Sequence, residues 1–390
     1  MNIEPALRAL AAALHGEGSA VELSAGPDGE PVVTPVPTPG FEDAVVVVRT
    51  SGSTGTPKAT VLTVDALAAS SMATAFALKG EGQWLLALPL QYVAGVQVLV
   101  RSLFAGTRPW AMDLSGGFTA DAFTAAALEL TDKIRFTSLV PAQLQRLLAD
   151  PSADTLAVLR RFNGILLGGA PASAELLESA REAGLRVVTT YGAAETCGGC
   201  VYDGYPLEGV AVRLGDDGRI HLGGATLAAG YLDARLQTAE AFVEEDGSRW
   251  YRTNDLGTLG ADGRLTVLGR ADDVIITGGV KVSAAHVQAE LEKSDGVTAA
   301  FVAGVESAKW GQAVAAYVAV TGTASGDAGA GAGGGGAVRD GAAWAEEWHR
   351  TLGLLAPKTV LPAGELIMLP NGKPDRLAMI ERLNALHQGK

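Results

Sequence analysis

Cysteine and histidine are scarce in this sequence of 390 residues, which has two cysteines, Cys197 and Cys200, and five histidines. No histidines stand close together, so a zinc site built from these residue types lacks ligands. The C-x-x-C spacing of the cysteines is compatible with a redox pair. We favour the alternative that both are small pocket-lining residues, because of the segment that precedes them.

Long apolar runs are also missing. Stretches such as residues 84–90 are broken well short of the ~18–20 apolar residues that a membrane-spanning helix needs. The N-terminal segment MNIEPALRALAAALHGEG does not have the layout of a signal peptide. We therefore expect a cytoplasmic protein with no membrane insertion.

Basic residues are outnumbered, with 30 lysines and arginines against 43 aspartates and glutamates, which gives a formal charge of −13. An acidic chain without a basic block disfavours nucleic acid as a partner. A site for an anionic ligand must then be locally positive, so single cations in glycine-rich segments are informative. A hydrophobic content of 48% with 19% charged residues indicates a globular protein of two or three domains.

Apolar strand-like runs alternate with amphipathic helices from residue 45 onward, which predicts an α/β fold of the doubly wound type. We expect residues 1–271 to form a large N-terminal domain of stacked α/β layers, with a helix and a proline-rich connector before residue 45. Short strands and turns at about 210–269 predict a small β subdomain. Residues 272–390 predict a small, mobile α+β C-terminal domain, in which the glycine-rich segment at about 322–341 is a disordered insertion.

Local signals predict single elements within these domains. In SAELLESAREAG, Ser173 can cap the start of a helix and Gly184 can stop it. The segment DVIITGGVKV predicts a hairpin, and TAAFVAGV and QAVAAYVAV predict strands.

The segment VVVVRTSGSTGTPKAT, residues 45–60, joins a strand buried on both faces to a loop of small residues. Glycines turn backbone N–H groups inward, hydroxyls add donors and Lys58 adds a positive charge, so the loop is a candidate phosphate cradle. It is not a Walker A loop, because a proline precedes Lys58 and an alanine follows it. The candidate phosphate-binding residues are Thr50, Ser51, Gly52, Ser53, Thr54, Gly55 and Lys58.

Five further stretches follow in order, LLGGAP (166–171), TYGAAET (190–196), YRTNDLG (251–257), GRADDVIITGGVKV (269–282) and PNGKPDR (370–376). Together with TSGSTGTPK, they resemble the core motifs of the adenylate-forming superfamily of acyl-CoA synthetases, adenylation domains and luciferases. The resemblance covers residues 45–376. It implies that a carboxylate attacks the α-phosphate of ATP, with Mg²⁺ present, and that the thiol of coenzyme A then opens the acyl-adenylate. Fixed cations and a metal are needed where these anions meet.

The resemblance also implies roles for single residues. The phosphate loop would hold the β- and γ-phosphates, and Glu195 would bind Mg²⁺ while Thr196 donates to the α-phosphate. Lys373 would bridge the carboxylate and the α-phosphate, and Asp272 would be the hinge of a swinging C-terminal domain. The adenine slot would be formed by Gly168, Gly169, Ala170, Pro171, Tyr191 and Gly192, the ribose site by Asp255 with Arg270, and the coenzyme A tunnel by Gly278, Gly279 and Lys281.

The sequence departs from the superfamily pattern at two positions. Ala194 replaces a threonine, so one hydroxyl contact is missing, although Thr196 remains. In PLQYVAG, which ends at Gly95, Tyr92 replaces a histidine and could line the carboxylate pocket. The short segment before the phosphate loop is most similar to the o-succinylbenzoate–CoA ligases of menaquinone synthesis. Arg101 lies in an otherwise apolar helical run, and a buried cation needs an anion. The second carboxylate of o-succinylbenzoate would meet that need, although Arg101 could instead reach solvent or a protein carboxylate.

Three alternatives stay open at this point. The chain could be another aryl- or acyl-CoA ligase, or a stand-alone adenylation domain that loads a carrier protein. It could also be an inactive nucleotide-binding protein, which the intact Lys58, Glu195, Asp255 and Lys373 disfavour. The apolar N-terminal helix is compatible with a homodimer.

Overall fold

The computed structural model describes residues 1–26, 29–50, 58–320, 341–369 and 374–389. The chain divides into two units, residues 1–253 with 259–266 and residues 254–258 with 267–390. The domain boundary expected between residues 271 and 272 stays a prediction. Residues 322–340 of the expected insertion lie outside the described residues.

The helices of the first unit are interspersed with its strands along the chain. They are α1 Glu4–Leu14, α2 Val64–Ala77, α3 Val93–Phe104, α4 Ala120–Leu128, α5 Pro141–Leu148, α6 Ala153–Leu159, α7 Ala174–Glu182 and α8 Arg235–Ala241.

The strands of the first unit are mostly short. They are β1 Val21–Ala25, β2 Pro31–Pro35, β3 Ala44–Thr50, β4 Lys58–Thr63, β5 Gln83–Leu86, β6 Trp110–Ala111, β7 Arg135–Leu139, β8 Gly164–Leu167, β9 Val187–Ala193, β10 Gly198–Tyr202, β11 Tyr205–Pro206, β12 Val210–Leu214, β13 Arg219–Gly224, β14 Gly230–Tyr231 and β15 Phe242–Glu245. Strands β16 Ser248–Leu259 and β17 Leu265–Arg270 include residues of both units.

A seven-stranded sheet with the order β11-β10-β9-β8-β7-β5-β6 is the centre of the first unit. Its strands β6, β5, β7, β8 and β9 are parallel. Alternate side chains point to opposite faces, so that Leu86 and Leu166 join the core beneath α1–α3, while Leu85 and Ile165 join the core beneath α4–α7. The predicted doubly wound α/β fold is confirmed.

A second sheet has the order β14-β4-β3-β1-β2 and contains the valine run. All four residues Val45–Val48 are buried, with Val46 and Val48 in one core cluster and Val47 in another, as a strand covered on both faces requires. The prediction of a connector between the first helix and residue 45 was wrong in part, because β1 and β2 form an antiparallel hairpin in this part of the chain. Pro31 and Pro35 lie on an edge strand, where a missing N–H donor costs no ladder hydrogen bond.

Helix α7 shows how local sequence sets an element's ends. The Ser173 side chain accepts a hydrogen bond from the N–H of Leu176, which caps the helix start, and Gly184 follows its end with φ +76°. Serine is a preferred N-cap, and glycine tolerates the left-handed conformation that ends a helix. The predicted cap and stop are confirmed.

A third sheet has the order β12-β13-β16-β15, with β17 paired to β16. The second unit contains β18 Val274–Thr277, β19 Val280–Ser283, α9 Ala284–Leu291, β20 Val297–Ser307, β21 Gly311–Val320, α10 Gly341–Leu352, β22 Thr359–Ala363 and α11 Arg376–Gln388. The predicted hairpin β18–β19 and the predicted strands β20 and β21 are confirmed, and the four-strand path β19-β18-β21-β20 is extended by β22. None of the helices in the described ranges is long and apolar enough to cross a membrane.

Candidate active site

The carboxyl ends of β5, β7, β8 and β9 lie at one edge of the central sheet, because these strands are parallel neighbours. Ligands of open α/β sheets bind at this edge. The segments that follow β5, β8 and β9 contain Tyr92, the stretch 168–171 and the turn 194–196. The fold therefore brings together predicted site residues from three distant parts of the sequence.

The glycines after β8 let this loop lie close to the neighbouring strand. A side chain on Gly168 would place its Cβ 2.3 Å from Oγ1 of Thr190 on β9, which no real contact allows. Gly169 has φ +83°, a conformation that favours glycine. The loop continues through Ala170 and Pro171 to the start of α7. The close packing of this loop on β9 is compatible with its predicted role as one wall of the adenine slot.

The turn after β9 is equally tight. A Cβ on Gly192 would lie 2.1 Å from the carbonyl oxygen of Gly198, so the β9–β10 turn requires glycine there. Tyr191 is half-buried and packs against the apolar cluster that includes Ile220 and Leu222 of β13. Its predicted stacking on adenine stays a prediction.

Glu195 lies in the short 3-10 turn Ala194–Thr196, and its side chain is buried. Its Oε1 accepts a hydrogen bond of 2.8 Å from the phenol of Tyr231, and Nζ of Lys58 lies 3.5 Å from the same phenol oxygen. The ammonium also lies 4.8 Å from the centre of the Tyr231 ring. The structure thus joins the two predicted charged residues, 137 positions apart in sequence, through one tyrosine.

Burial raises the pKa of Tyr231 well above its ordinary value, and the neighbouring Glu195 carboxylate raises it further. The phenol therefore keeps its proton and remains a donor to Glu195 at neutral pH. Sequence reasoning missed Tyr231, because a tyrosine after a glycine at the end of a short strand is an ordinary sequence feature. Only the pairing of β14 with β4, which places Tyr231 opposite Thr60, reveals its position beside Lys58.

Glu195 fits a magnesium ion that a nucleotide shares. Mg²⁺ is usually bound by one or two carboxylates together with substrate phosphates, and less often by a site made of protein ligands alone. Across the described ranges there is no group of three or more His, Cys, Asp or Glu residues that could hold a metal. A single buried carboxylate can bind a Mg²⁺ ion whose other ligands are phosphate oxygens and water, and the nearby Lys58 would pair with the phosphates and not with the metal.

Thr196 is fully buried and uses its hydroxyl inside the turn. The hydroxyl oxygen accepts from the N–H of Ala193 at 3.0 Å, and the hydroxyl donates to the Gly198 carbonyl at 2.7 Å. In this conformation the hydroxyl stabilises the turn that carries Glu195. The predicted donation to the α-phosphate stays a prediction.

The phosphate loop joins β3 to β4. Thr50 and Lys58 face each other across these antiparallel strands, so the two ends of the loop are adjacent. Ser51, Gly52, Ser53, Thr54 and Gly55 lie outside the described residues. The position of Lys58, at one end of this loop and beside Tyr231, is compatible with a phosphate site near Glu195.

The segment after β5 is held against α3. A Cβ on Gly95 would lie 2.3 Å from the Pro89 carbonyl oxygen, so the first turn of α3 packs directly on the preceding backbone. Tyr92 is half-buried at the N-cap of α3, and burial raises its pKa. Its phenol therefore stays neutral, and its predicted place in the carboxylate pocket stays a prediction.

The structure does not bring Arg101 together with Tyr92 and Gly95. Nine positions separate Arg101 from Tyr92 along α3, which corresponds to about 13 Å of helix axis. Arg101 is buried, its guanidinium lies 5.2 Å from the centre of the Trp84 ring, and its Nε has no hydrogen-bond partner in the described part of the chain. Its predicted contact with the substrate stays a prediction.

The cysteines are free and fully buried, and no disulfide joins them. Cys197 belongs to the core beneath α1–α3, and Cys200 belongs to a core with β13. Burial raises the pKa of both thiols, that of Cys200 to about 12. Both cysteines therefore remain neutral thiols in apolar surroundings, which disfavours a redox pair.

Arg270 connects two predicted residues of the second unit. Its guanidinium makes a bidentate pair with Asp272 at 2.8 and 2.9 Å and lies 3.9 Å from Asp255. Burial by itself would raise the pKa of the Asp272 carboxyl, but the hydrogen bonds and charge of Arg270 outweigh it and lower the pKa. The predicted hinge residue is thus an ionised carboxylate paired with the predicted ribose-site arginine.

Gly278 and Gly279 form the turn of the β18–β19 hairpin, with φ values of +55° and +83°. Two successive positive φ values are typical of a hairpin turn that glycine favours. Lys281 is exposed on β19. Lys373 lies outside the described residues, and the coenzyme A and bridging-lysine roles stay predictions.

Comparisons with known proteins identify the family of the chain. The model of the AMP-binding enzyme family matches residues 7–232. A probable 2-succinylbenzoate–CoA ligase of Mycobacterium tuberculosis is 45% identical over 281 residues, which are 72% of this chain and 72% of the relative. The 2-succinylbenzoate–CoA ligase of Bacillus licheniformis is 32% identical over 74% of this chain and 62% of the relative.

Solved structures share the fold. Among them are ATP-bound MatB from Rhodopseudomonas palustris, with a TM-score of 0.76, 24% identity and coverage of 93% of this chain and 74% of that one. Another is o-succinylbenzoate CoA synthetase (MenE) from Bacillus subtilis in complex with the acyl-adenylate OSB-AMP, with a TM-score of 0.70, 24% identity and coverage of 90% and 72%. At this identity the likeness shows the fold alone. With the family model and the relatives taken together, the chain belongs to the AMP-binding enzyme family.

Proposed function

We propose that this chain is an ATP-dependent, AMP-forming ligase that converts 2-succinylbenzoate to 2-succinylbenzoyl-CoA. The observation that carries the proposal is its 45% identity, over 72% of both chains, to a relative named as a probable 2-succinylbenzoate–CoA ligase. The arrangement of Lys58, Tyr231 and Glu195 supports it, because it supplies a cation and a metal-binding carboxylate at one place.

Two displacements make up the proposed reaction. A carboxylate oxygen of the acid attacks the α-phosphorus of ATP, the bond to the β-phosphate oxygen breaks, and pyrophosphate leaves. The sulfur of coenzyme A, having lost its proton, then attacks the acyl carbon, and AMP leaves as the carbon–oxygen bond breaks. Mg²⁺, when bound, neutralises phosphate charge and thus allows the carboxylate to approach.

The residues of the first unit have separate tasks in this proposal. Lys58 and the loop that it closes hold the β- and γ-phosphates, and Glu195 binds the metal in an orientation that Tyr231 maintains. The loop Gly168–Pro171 and Tyr191 bind the adenine. Tyr92 and Gly95 shape a pocket for the acid. A buried, preorganised set of charges of this kind needs little rearrangement as charge develops on the phosphate.

The residues of the second unit are assigned by resemblance alone. Asp255 and Arg270 are proposed to bind ribose, Asp272 to act as a hinge, and Lys373 to bridge the reacting groups. The coenzyme A site is proposed at Gly278, Gly279 and Lys281.

The test is a pyrophosphate-release assay with ATP, Mg²⁺, coenzyme A and a panel of acids. We expect 2-succinylbenzoate to have the highest kcat/KM, ahead of benzoate and of medium-chain fatty acids. A preference for a monocarboxylic acid would refute the assignment of 2-succinylbenzoate as the substrate. Transfer to a carrier protein in preference to coenzyme A would refute the assignment of coenzyme A as the acceptor. Absence of any AMP-forming reaction would refute the whole proposal.

Arg101 provides a separate test of the substrate. If its guanidinium binds the second carboxylate, Arg101→Met raises the KM for 2-succinylbenzoate by about 10- to 100-fold, since a lost charge-assisted hydrogen bond is worth ~1.5–3 kcal/mol. A fall in unfolding temperature with an unchanged KM would show that Arg101 acts through its packing on Trp84.

A cytoplasmic location and a homodimer are also proposals. The proposed co-substrates, ATP and coenzyme A, are compatible with a cytoplasmic location, and cell fractionation tests this location. Helix α1, from which the homodimer was inferred, buries Ala6, Leu10 and Ala13 within its own unit. Sedimentation of the purified protein would therefore decide whether another surface forms a dimer.

A further inference from the structure

Cys197, which directly follows the Glu195–Thr196 turn, has an unusual backbone conformation. Its φ and ψ are 53° and 35°, in the left-handed region. This conformation costs a residue other than glycine ~1–2 kcal/mol, so the surroundings must hold it in place. Its thiol is buried in the core, and its carbonyl oxygen accepts hydrogen bonds from side chains of two helices.

The stronger of these hydrogen bonds comes from Gln97 on α3. Its Nε2 lies 2.5 Å from the Cys197 carbonyl oxygen and 3.1 Å from Oγ of Ser70 on α2. The Ser70 hydroxyl also donates to the Cys197 carbonyl, at 3.3 Å. Because a carbonyl only accepts, the amide orientation of Gln97 is determined. Two helices therefore hold the backbone immediately after the metal-binding turn.

The Gln97 side chain carries a cost at this position. It is 1% exposed, its Oε1 has no hydrogen-bond partner among the described residues, and leaving a buried acceptor unsatisfied costs ~1–3 kcal/mol. An apolar side chain of similar shape would avoid this cost, but it would leave the buried Cys197 carbonyl with the 3.3 Å bond from Ser70 as its remaining side-chain donor. The amide of Gln97 therefore serves to hold the Cys197 carbonyl in place.

We propose that Gln97 is a positioning residue for Glu195, acting through the Cys197 carbonyl with Ser70 as its second donor. Gln97 lies two positions after Gly95 on the helix whose first turn packs on the Pro89 carbonyl. Helix α3 thereby connects the segment proposed to bind the acid with the turn proposed to bind the metal. The inference rests on the proposed role of Glu195 and extends it.

The experiment compares Gln97→Met with Gln83→Met. Gln83 is a second buried glutamine that bonds to backbone, donating to the Arg108 carbonyl and accepting from Thr131 and Asp132, but it starts β5 at the amino end of the sheet. The first readout needs no turnover. It is the further rise in the unfolding temperature of the protein when Mg²⁺ is added in the presence of a nonhydrolysable ATP analogue. The second is the KM and kcat of pyrophosphate release.

We expect Gln97→Met to raise the Mg²⁺ concentration for half-maximal stabilisation about tenfold, the lower end of the effect of residues that orient metal ligands. We also expect kcat to fall by a similar factor, with the KM for the acid changed less than threefold. Gln83→Met lowers the unfolding temperature without changing the Mg²⁺ dependence. Equal Mg²⁺ dependence in both variants, or none in the wild type, would overturn the inference.

A second pair of variants covers the case in which Gln97→Met does not fold. Ser70→Ala removes the weaker donor, and Ser71→Ala removes a neighbouring buried hydroxyl that has no partner in the described part of the chain. A shift of about threefold in Mg²⁺ dependence for Ser70→Ala alone supports the inference, and equal values refute it. The binding readout stands even if 2-succinylbenzoate is not the substrate, so the two proposals fail separately.

Discussion

Replacing Tyr231 by phenylalanine tests the central contact of the site. The change removes a 2.8 Å hydrogen bond to Oε1 of Glu195, whose side chain is only 6% exposed, while the ring keeps its packing against Phe242. A hydrogen bond to a charged group contributes ~1.5–3 kcal/mol. Since ~1.4 kcal/mol is a factor of ten in an equilibrium constant, we expect the half-saturating Mg²⁺ concentration to rise about 10- to 100-fold.

The assay is a Mg²⁺ titration of pyrophosphate release at saturating ATP and acid, combined with thermal unfolding in the absence of ligands. Tyr205→Phe is the matched control, because the phenol of Tyr205 donates to Oδ2 of Asp262 over the same 2.8 Å but is exposed. Exposed pairs contribute little, so this variant should match the wild type in both measurements. If Tyr231→Phe also matches the wild type, Tyr231 does not orient Glu195 and our reading of the site is wrong.

Three further predictions test other parts of the molecule. Lys373→Ala should lower the rate of pyrophosphate release by ~10²–10³-fold, which is the usual loss for one preorganised donor. Transfer of a preformed acyl-adenylate to coenzyme A should change less than about tenfold. Equal loss of both half-reactions would contradict the bridging role. Gly95→Ala should shift the start of α3, because its Cβ would lie 2.3 Å from the Pro89 carbonyl oxygen, and thus lower the free energy of unfolding by ~1–3 kcal/mol. Gly116→Ala, which meets no atom within 4 Å, is its control, and similar urea midpoints for the two would argue against the close contact. Because burial raises the pKa of Cys200 to about 12, the free energy of unfolding should decline between the unfolded pKa of ~8.5 and 12, where the thiol ionises in the unfolded state and not in the folded state. Cys200→Ala should make this decline shallower by about 1 kcal/mol between pH 8.5 and 9.5 in urea unfolding, and an unchanged slope would refute the shifted pKa.

Local sequence was sufficient for features that depend on neighbouring residues. Four successive valines predicted a strand covered on both faces, and Ser173 and Gly184 predicted the ends of a helix, since caps and stops act within one turn. The same reasoning failed before residue 45. There, prolines suggested a connector, and only the position of β2 at a sheet edge made the hairpin compatible with them.

The sequence by itself indicated the type of chemistry, because the motifs that resemble the adenylate-forming superfamily, and their order, are properties of the chain alone. It also determined the alternation of strands and helices that predicts a parallel sheet. Only the tertiary structure decided which side chains touch. Tyr231 contacts Glu195 across 36 positions and Gln97 contacts the Cys197 carbonyl across 100 positions, through strand pairing and helix packing. Such contacts leave no local pattern, because each residue's neighbours along the chain are unrelated to its neighbours in space.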